Sequence, residues 1–139
     1  MSEPIEQLKN KLKASGYSLT SPRKIVFLAL QNKEPLSMNQ LILNCPGVDR
    51  ASIYRSISLY EKLGIVQRLN IGWKYKIELS NDFQNHHHHL SCIKCLRVIP
   101  FEESSSLEKQ FKQISDKNNF TMQDHQLEIQ GICNSCLKS

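Results

Sequence analysis

Apolar residues in the first part of the chain recur at helical intervals. From Ile5 to Ala14, Ile5, Leu8 and Leu12 stand three and four residues apart among lysines, which predicts a short amphipathic helix stopped at Gly16. A second helix is predicted from Ile25, Val26, Leu28, Ala29 and Leu30, with Ser21 as N-cap and Pro22 at its first position; Pro35 ends it. Ser37 followed by Gln40 reads as a capping box for a short third helix carrying Leu41, Ile42 and Leu43. After a turn at Pro46 and Gly47, Asp49 caps a fourth helix that runs to Leu63 and is ended by Gly64. Ile53, Ile57 and Tyr60 share one face of it, leaving Arg50, Ser52, Tyr54, Arg55 and Ser58 mostly on the others.

The rhythm then changes to alternation. Segments 65–69 and 73–79, around Asn70, Ile71 and Gly72, read as a β-hairpin. Short helices followed by a hairpin are the parts of a winged helix-turn-helix, with 49–63 as the reading helix. Residues 81–85 are polar and read as a hinge. Beyond it, strands are expected at 90–92 and 98–101, a helix at 104–118 with Leu107, Phe111 and Ile114 on one face, and an alternating strand over 120–132 that contains His125. The expected fold class is α+β. A winged-helix DNA-binding domain (1–80) and a hinge (81–85) lead to a small α/β dimerisation and metal-binding domain (86–139). So small a sheet has edges to cover, and pairing with a second copy is a natural way to cover them.

Charge sharpens this division. Residues 1–80 hold 12 Lys and Arg against 6 Asp and Glu, while residues 81–139 hold 6 against 7, so the net +5 of the 139-residue chain lies wholly in the first part. A basic reading domain points to a polyanion, double-stranded DNA. The chemistry at the start of the fourth helix suits a major groove: the Arg55 guanidinium can fork onto a guanine edge, and the Ser52 and Tyr54 hydroxyls can bond bases or phosphates. Arg23 and Lys24 at a helix start, with Arg68 and Lys74 on the wing, are expected on phosphates. No apolar run approaches the roughly 18 residues needed to span a membrane, and no signal-peptide core follows Met1, so a cytoplasmic protein without a membrane partner is expected.

The second part carries the metal chemistry. Cys92 and Cys95 form one Cys-x-x-Cys pair, Cys133 and Cys136 another, and two such pairs in a reducing compartment predict a structural, four-thiolate zinc site. Such a site has no open position, so it supports folding. Cys45 stands apart from these pairs as a small, partly buried residue. His86, His87, His88 and His89 precede the first pair, and in an extended segment His86 and His88 face one side while His87 and His89 face the other, so one run can feed two sites.

Taken together, Leu19 to Arg23, Ala51 to Arg55, Leu63 to Val66, His86 to Cys95 and Cys133 to Cys136 resemble, in order, the motifs of the ferric uptake regulator family of bacterial metal-responsive repressors. The resemblance covers about Leu12 to Cys136. It implies a homodimer on palindromic operator DNA, locked into a DNA-competent shape by bound metal. Carried over, Tyr54 and Arg55 match the family's DNA-reading pair and Arg23 its phosphate-contacting arginine. His86, His88, Glu108 and His125 match the regulatory site within the dimerisation domain. Glu78, His87 and His89 match a second site at the joint between domains, where the family often adds a histidine near the position of Lys33, Glu34 and Pro35. That histidine is missing here, which leaves the second set incomplete unless Glu34 substitutes. Other departures are Pro100 for a carboxylate, Ser18 for a basic residue, and His88 where some iron-responsive members have Asp.

Three imidazoles and a carboxylate suit zinc and also accept ferrous iron or manganese, and of these zinc or ferrous iron is expected at the regulatory site. The leading reading is a metal-dependent repressor of genes for iron or zinc uptake or homeostasis. A peroxide-sensing member of the same family is an alternative. Two further classes differ more: a zinc-dependent hydrolase, which needs an open coordination position and a substrate pocket, and a metal store or protein-interaction module, whose binding would ignore salt. An enzyme is not expected, and no small-molecule substrate is implied.

Overall fold

The structure is a computed structural model that describes residues 3–31, 34–71, 73–84, 86–102 and 104–138. Contacts divide the chain into two units, Met1–Asn85 and His86–Ser139.

The first unit contains α1 (Glu3–Ala14), α2 (Ser21–Leu30), α3 (Met38–Leu43) and α4 (Arg50–Lys62), then the hairpin β1 (Val66–Ile71) and β2 (Lys74–Leu79). Its core is the set of apolar stripes that the sequence pattern isolates: Leu8 and Leu12 of α1, Val26 and Phe27 of α2, Leu41 of α3, Ile53 and Tyr60 of α4, and Ile65 and Ile77 around the hairpin are all fully buried. The predicted capping box at Ser37 forms in both directions, with Gln40 N–H on the Ser37 hydroxyl and Ser37 N–H on the Gln40 carboxamide. Asp49 caps α4 as expected, accepting from the Ser52 N–H at 3.1 Å. At the other end Gly64 takes φ +72°, a left-handed turn that lets the Ile65 N–H reach the Tyr60 carbonyl at 2.8 Å.

Two expectations are corrected here. The N-cap of α2 is Thr20 rather than Ser21: Thr20 is extended and its hydroxyl accepts from the Arg23 N–H, so Ser21 is already helical and Pro22 follows it. Both residues can cap, and the one whose backbone stays extended does so. β1 starts one residue later and runs two residues further than the alternation suggests, taking in Asn70 and Ile71 of the expected turn, with Ile71 paired to Lys74, while Gly72 lies outside the described residues. Leu36 adds a single antiparallel bridge to Ile77. Within the segment expected as a hinge, Asp82 is held by Lys11 Nζ at 2.8 Å and Gln7 Nε2 at 2.7 Å, and Phe83 sets its ring edge-on to Phe27; Asn85 lies outside the described residues.

The second unit contains β3 (His88–Cys92), β4 (Val98–Phe101), α5 (Ser105–Lys117), β5 (Glu128–Gly131) and the short α6 (Asn134–Leu137). Its sheet has the order β4-β3-β5, with β3 antiparallel to β4 and parallel to β5. The strand expected over 120–132 is only four residues long and leaves His125 outside it. The Asp124 carboxylate accepts from the His125 N–H at 2.8 Å, which takes that amide out of any strand ladder. The face of α5 carrying Leu107, Phe111 and Ile114 is not buried within the chain, and Ile114 is 59% exposed. Register also aligns Ile99, Leu90 and Ile129 across the three strands, and these residues line an apolar groove of about 260 Å³. Among the described residues no helix is long and apolar enough to cross a membrane.

Candidate DNA-reading surface and metal centres

Helix α4 presents the predicted reading residues. Burial of Ile53, Ser56, Ile57 and Tyr60 fixes its rotation, so Tyr54 and Arg55 are exposed and Ser52 is half-buried. A contact chain not legible from the cap alone orders this surface. The Ser52 hydroxyl donates to Asp49 Oδ1 at 2.6 Å and accepts from an Arg55 guanidinium nitrogen at 3.1 Å. Asp49 therefore caps the helix and aims Arg55 through Ser52; the signal was the three-residue spacing of Asp49, Ser52 and Arg55. The Ser52 hydroxyl first, then its N–H, hold the Asp49 carboxyl below its ordinary value.

Arg23 sits at the first turn of α2. One guanidinium nitrogen donates to the Ser18 carbonyl at 2.6 Å, and the group lies 5.7 Å from the centre of the Tyr17 ring. The remaining donors of its fork are available to a phosphate. The buried Tyr60 hydroxyl donates to the Arg23 carbonyl at 2.5 Å, tying α4 to the start of α2, and burial pushes the Tyr60 phenol above its ordinary value.

The second unit brings the four predicted cysteines together. Cys92 ends β3, Cys95 lies in the following turn, Cys133 is the N-cap of α6 and Cys136 is within it. Their sulphurs all lie within 4.8 Å of one another, with Cys92 and Cys136 at 3.8 Å and Cys95 and Cys133 at 3.7 Å. Four sulphurs each about 2.3 Å from one ion at tetrahedral corners would stand about 3.8 Å apart, so the donor set fits zinc. The Cys133 N–H points at Cys92 Sγ from 3.3 Å, and this first, then a backbone N–H of Cys95, lowers the Cys92 thiol to about 6. Cys133 beside it, followed by desolvation, pushes Cys136 up to about 12. Leu96, directly after the first pair, has φ +64°, which lets its N–H reach the Cys92 carbonyl at 2.9 Å.

The histidine run divides as alternation predicts. His86 pairs with His88 at 4.8 Å between ring centres, and His87 pairs with His89 at 4.7 Å. His125 joins the first pair: its Nε2 is 3.1 Å from His86 Nε2, and Phe111 of α5 backs its ring at 4.8 Å. One nitrogen from each of His86, His88 and His125 lies within 4.8 Å of the others, and His88 is fully buried. Two imidazole nitrogens on one tetrahedral ion at about 2.0 Å would be about 3.3 Å apart, close to the separation seen. Glu108, in the first turn of α5, is exposed and is not part of this cluster. In the other unit Glu78 is buried in β2, and its carboxylate accepts from Gln67 Nε2 at 2.7 Å. Cys45 is buried in the first unit's core.

The sequence profile of the ferric uptake regulator family matches residues 14–130. The ferric uptake regulation protein of Synechococcus elongatus is 31% identical over 146 aligned residues, covering 100% of this chain and 99% of that protein. The crystal structure of the Vibrio cholerae ferric uptake regulator superposes with a TM-score of 0.73 at 32% identity, over 91% of this chain and 99% of that one. The Helicobacter pylori ferric uptake regulator, whose structure reveals three functional metal binding sites, shares the fold with a TM-score of 0.82 at 20% identity, over 98% of this chain and 93% of that one.

Proposed function

This chain belongs to the ferric uptake regulator family and is a metal-dependent DNA-binding transcriptional regulator, and from that premise we propose that it is a homodimeric repressor of iron- or zinc-uptake or homeostasis genes. Members of the family are regulators, not enzymes. The reading rests on the pairing, within residues 86–139, of a complete donor set with an incomplete one. Four thiols fill a tetrahedral ion's positions, so Cys92, Cys95, Cys133 and Cys136 hold a structural zinc. Three imidazoles leave room, so His86, His88 and His125 hold an exchangeable zinc or ferrous ion, with Glu108 brought in from α5 as the further ligand. His87 and His89, paired on the opposite side of the run, are the candidates for a second set, which lacks the family's further histidine.

Metal binding favours the arrangement in which two copies present their α4 helices to successive major grooves of a palindrome. It acts by population shift, with an energy equal to the metal's preference for that arrangement. Exposed Leu90 and Ile129 in register with half-buried Ile99, together with exposed Ile114 on α5, support a homodimer, which would remove that surface from water. Arg55 reads bases, Ser52 and Tyr54 assist, and Arg23 sets register on a phosphate. A cytoplasmic location suits thiols kept as metal ligands.

Metal counting tests the two-centre reading. After mild chelation the protein should retain one zinc per chain and take up one further ion, and His86→Ala should lose only that second ion. Loss of both ions together in His86→Ala would contradict separate centres.

A further inference from the structure

Trp73 stands at the turn between β1 and β2, beside the terminal pair Ile71 and Lys74, and is 88% exposed. The fold gains almost nothing from an indole in that position. Lys74 Nζ lies 4.7 Å from its ring centre, so a cation travels with the aromatic surface. The strands behind carry Arg68, Lys74 and Lys76, and their one acid, Glu78, is buried and engaged by Gln67. Arg68 is used internally: its Nε lies 2.9 and 3.0 Å from the two Glu61 oxygens, and its guanidinium lies 4.1 Å from the Tyr75 ring centre. That pair ties the wing to α4, so the tip has a fixed place relative to the reading helix. Among the described residues Lys74 and Lys76 form no ion pair, which leaves their charge for an outside anion.

We propose that the wing tip is a second DNA contact, in which the Trp73 indole enters the minor groove beside the α4 site and packs on deoxyribose and base edges while Lys74 meets the flanking phosphate. The minor groove, about 6 Å wide, admits a single side chain rather than a helix, and apolar wedges beside cations are a recurrent way of binding there. A flat aromatic contact of this kind adds affinity and senses groove width more than base identity. The inference rests on the DNA-binding reading of α4, and its test keeps the two apart.

Trp73 is the sole tryptophan of the chain, so its emission reports the tip directly. The experiment uses full-length protein with both metal centres filled by zinc and a duplex that the protein itself selects from a random-sequence pool. Anisotropy of labelled duplex measures binding; with unlabelled duplex, Trp73 emission and acrylamide quenching report the tip. On saturation the emission should change and acrylamide access should fall severalfold. Trp73→Ala should weaken binding about tenfold with an unchanged salt slope, and Trp73→Phe should recover most of that loss. Lys74→Ala should instead lower the salt slope by about one. Binding with unaltered emission and quenching, or a Trp73→Ala protein that binds as tightly as the parent, overturns the wing contact and leaves the α4 reading standing. Shielding of Trp73 that grows with protein concentration in the absence of DNA also overturns it, assigning the tip to self-association. No binding by either protein overturns the α4 reading and the wing contact with it.

Discussion

At Tyr60 one side chain serves both packing and positioning. Its ring fills the first unit's core, and its hydroxyl reaches the Arg23 carbonyl at 2.5 Å. Removing only the oxygen keeps the packing, so Tyr60→Phe should cost about 1 kcal/mol, the net value of a partly buried hydrogen bond, read as a lower urea midpoint. An unchanged midpoint would show that the bond contributes nothing. Arg55 lies at the opposite extreme, exposed and free of packing, and its loss should leave folding intact. Arg55→Ala should weaken operator binding about 10- to 100-fold, the range of one lost bidentate base contact, with zinc content and dimer mass unchanged. Loss of the dimer instead would assign Arg55 a structural role. At this scale the sequence displayed residue types better than contacts. That Tyr54 and Arg55 face outward followed from the spacing of Ile53, Ile57 and Tyr60, whereas the three-residue spacing of Asp49, Ser52 and Arg55 permits their hydrogen-bonded chain without specifying the rotamers that make it.

The elements of the first unit were legible because each has local punctuation. Ser37 with Gln40, Asp49, Gly16 and Gly64 mark ends by their own chemistry. The cap of α4 also makes a pH prediction. Because hydrogen bonds from Ser52 hold the Asp49 carboxyl below its ordinary 3.8, the charged cap stabilises the fold at pH values above that figure, and the contribution is lost as pH falls through the lower, folded value. Asp49→Ala should therefore have a lower thermal midpoint than the parent near neutrality, and the gap should close in strong acid. A gap independent of pH would mean that the charge is not what caps the helix. The second unit was less legible for a physical reason. β5 is short and exposed, so no alternation of buried positions marks its limits, and Asp124 captures the amide of His125 just before it. The apolar stripe of α5, half-buried at Leu107 and Phe111 and exposed at Ile114, was readable as a helix, but a stripe does not say what covers it.

For the whole molecule, the four cysteines are 44 residues apart at their extremes yet meet within 4.8 Å, closing β3 and α6 around one point. This set was plain in the sequence because Cys-x-x-Cys pairs have few other uses. The triad His86, His88 and His125 was half plain: alternation separated His86 and His88 from His87 and His89, but no periodicity could bring His125 to them. Replacing Cys95 by Ser should remove the tightly held zinc and with it dimerisation and DNA binding together, measured by metal analysis and sedimentation. A zinc-free dimer that still binds DNA would show that the thiolates are not structural. The most direct test of metal-controlled DNA binding is operator affinity against buffered free metal, measured anaerobically with zinc and separately with ferrous iron, for the parent protein and His88→Ala, both keeping the cysteine-bound zinc. Affinity for the parent should rise steeply with one of the two metals, and His88→Ala should not respond; equal affinity with and without metal in the parent would contradict the account.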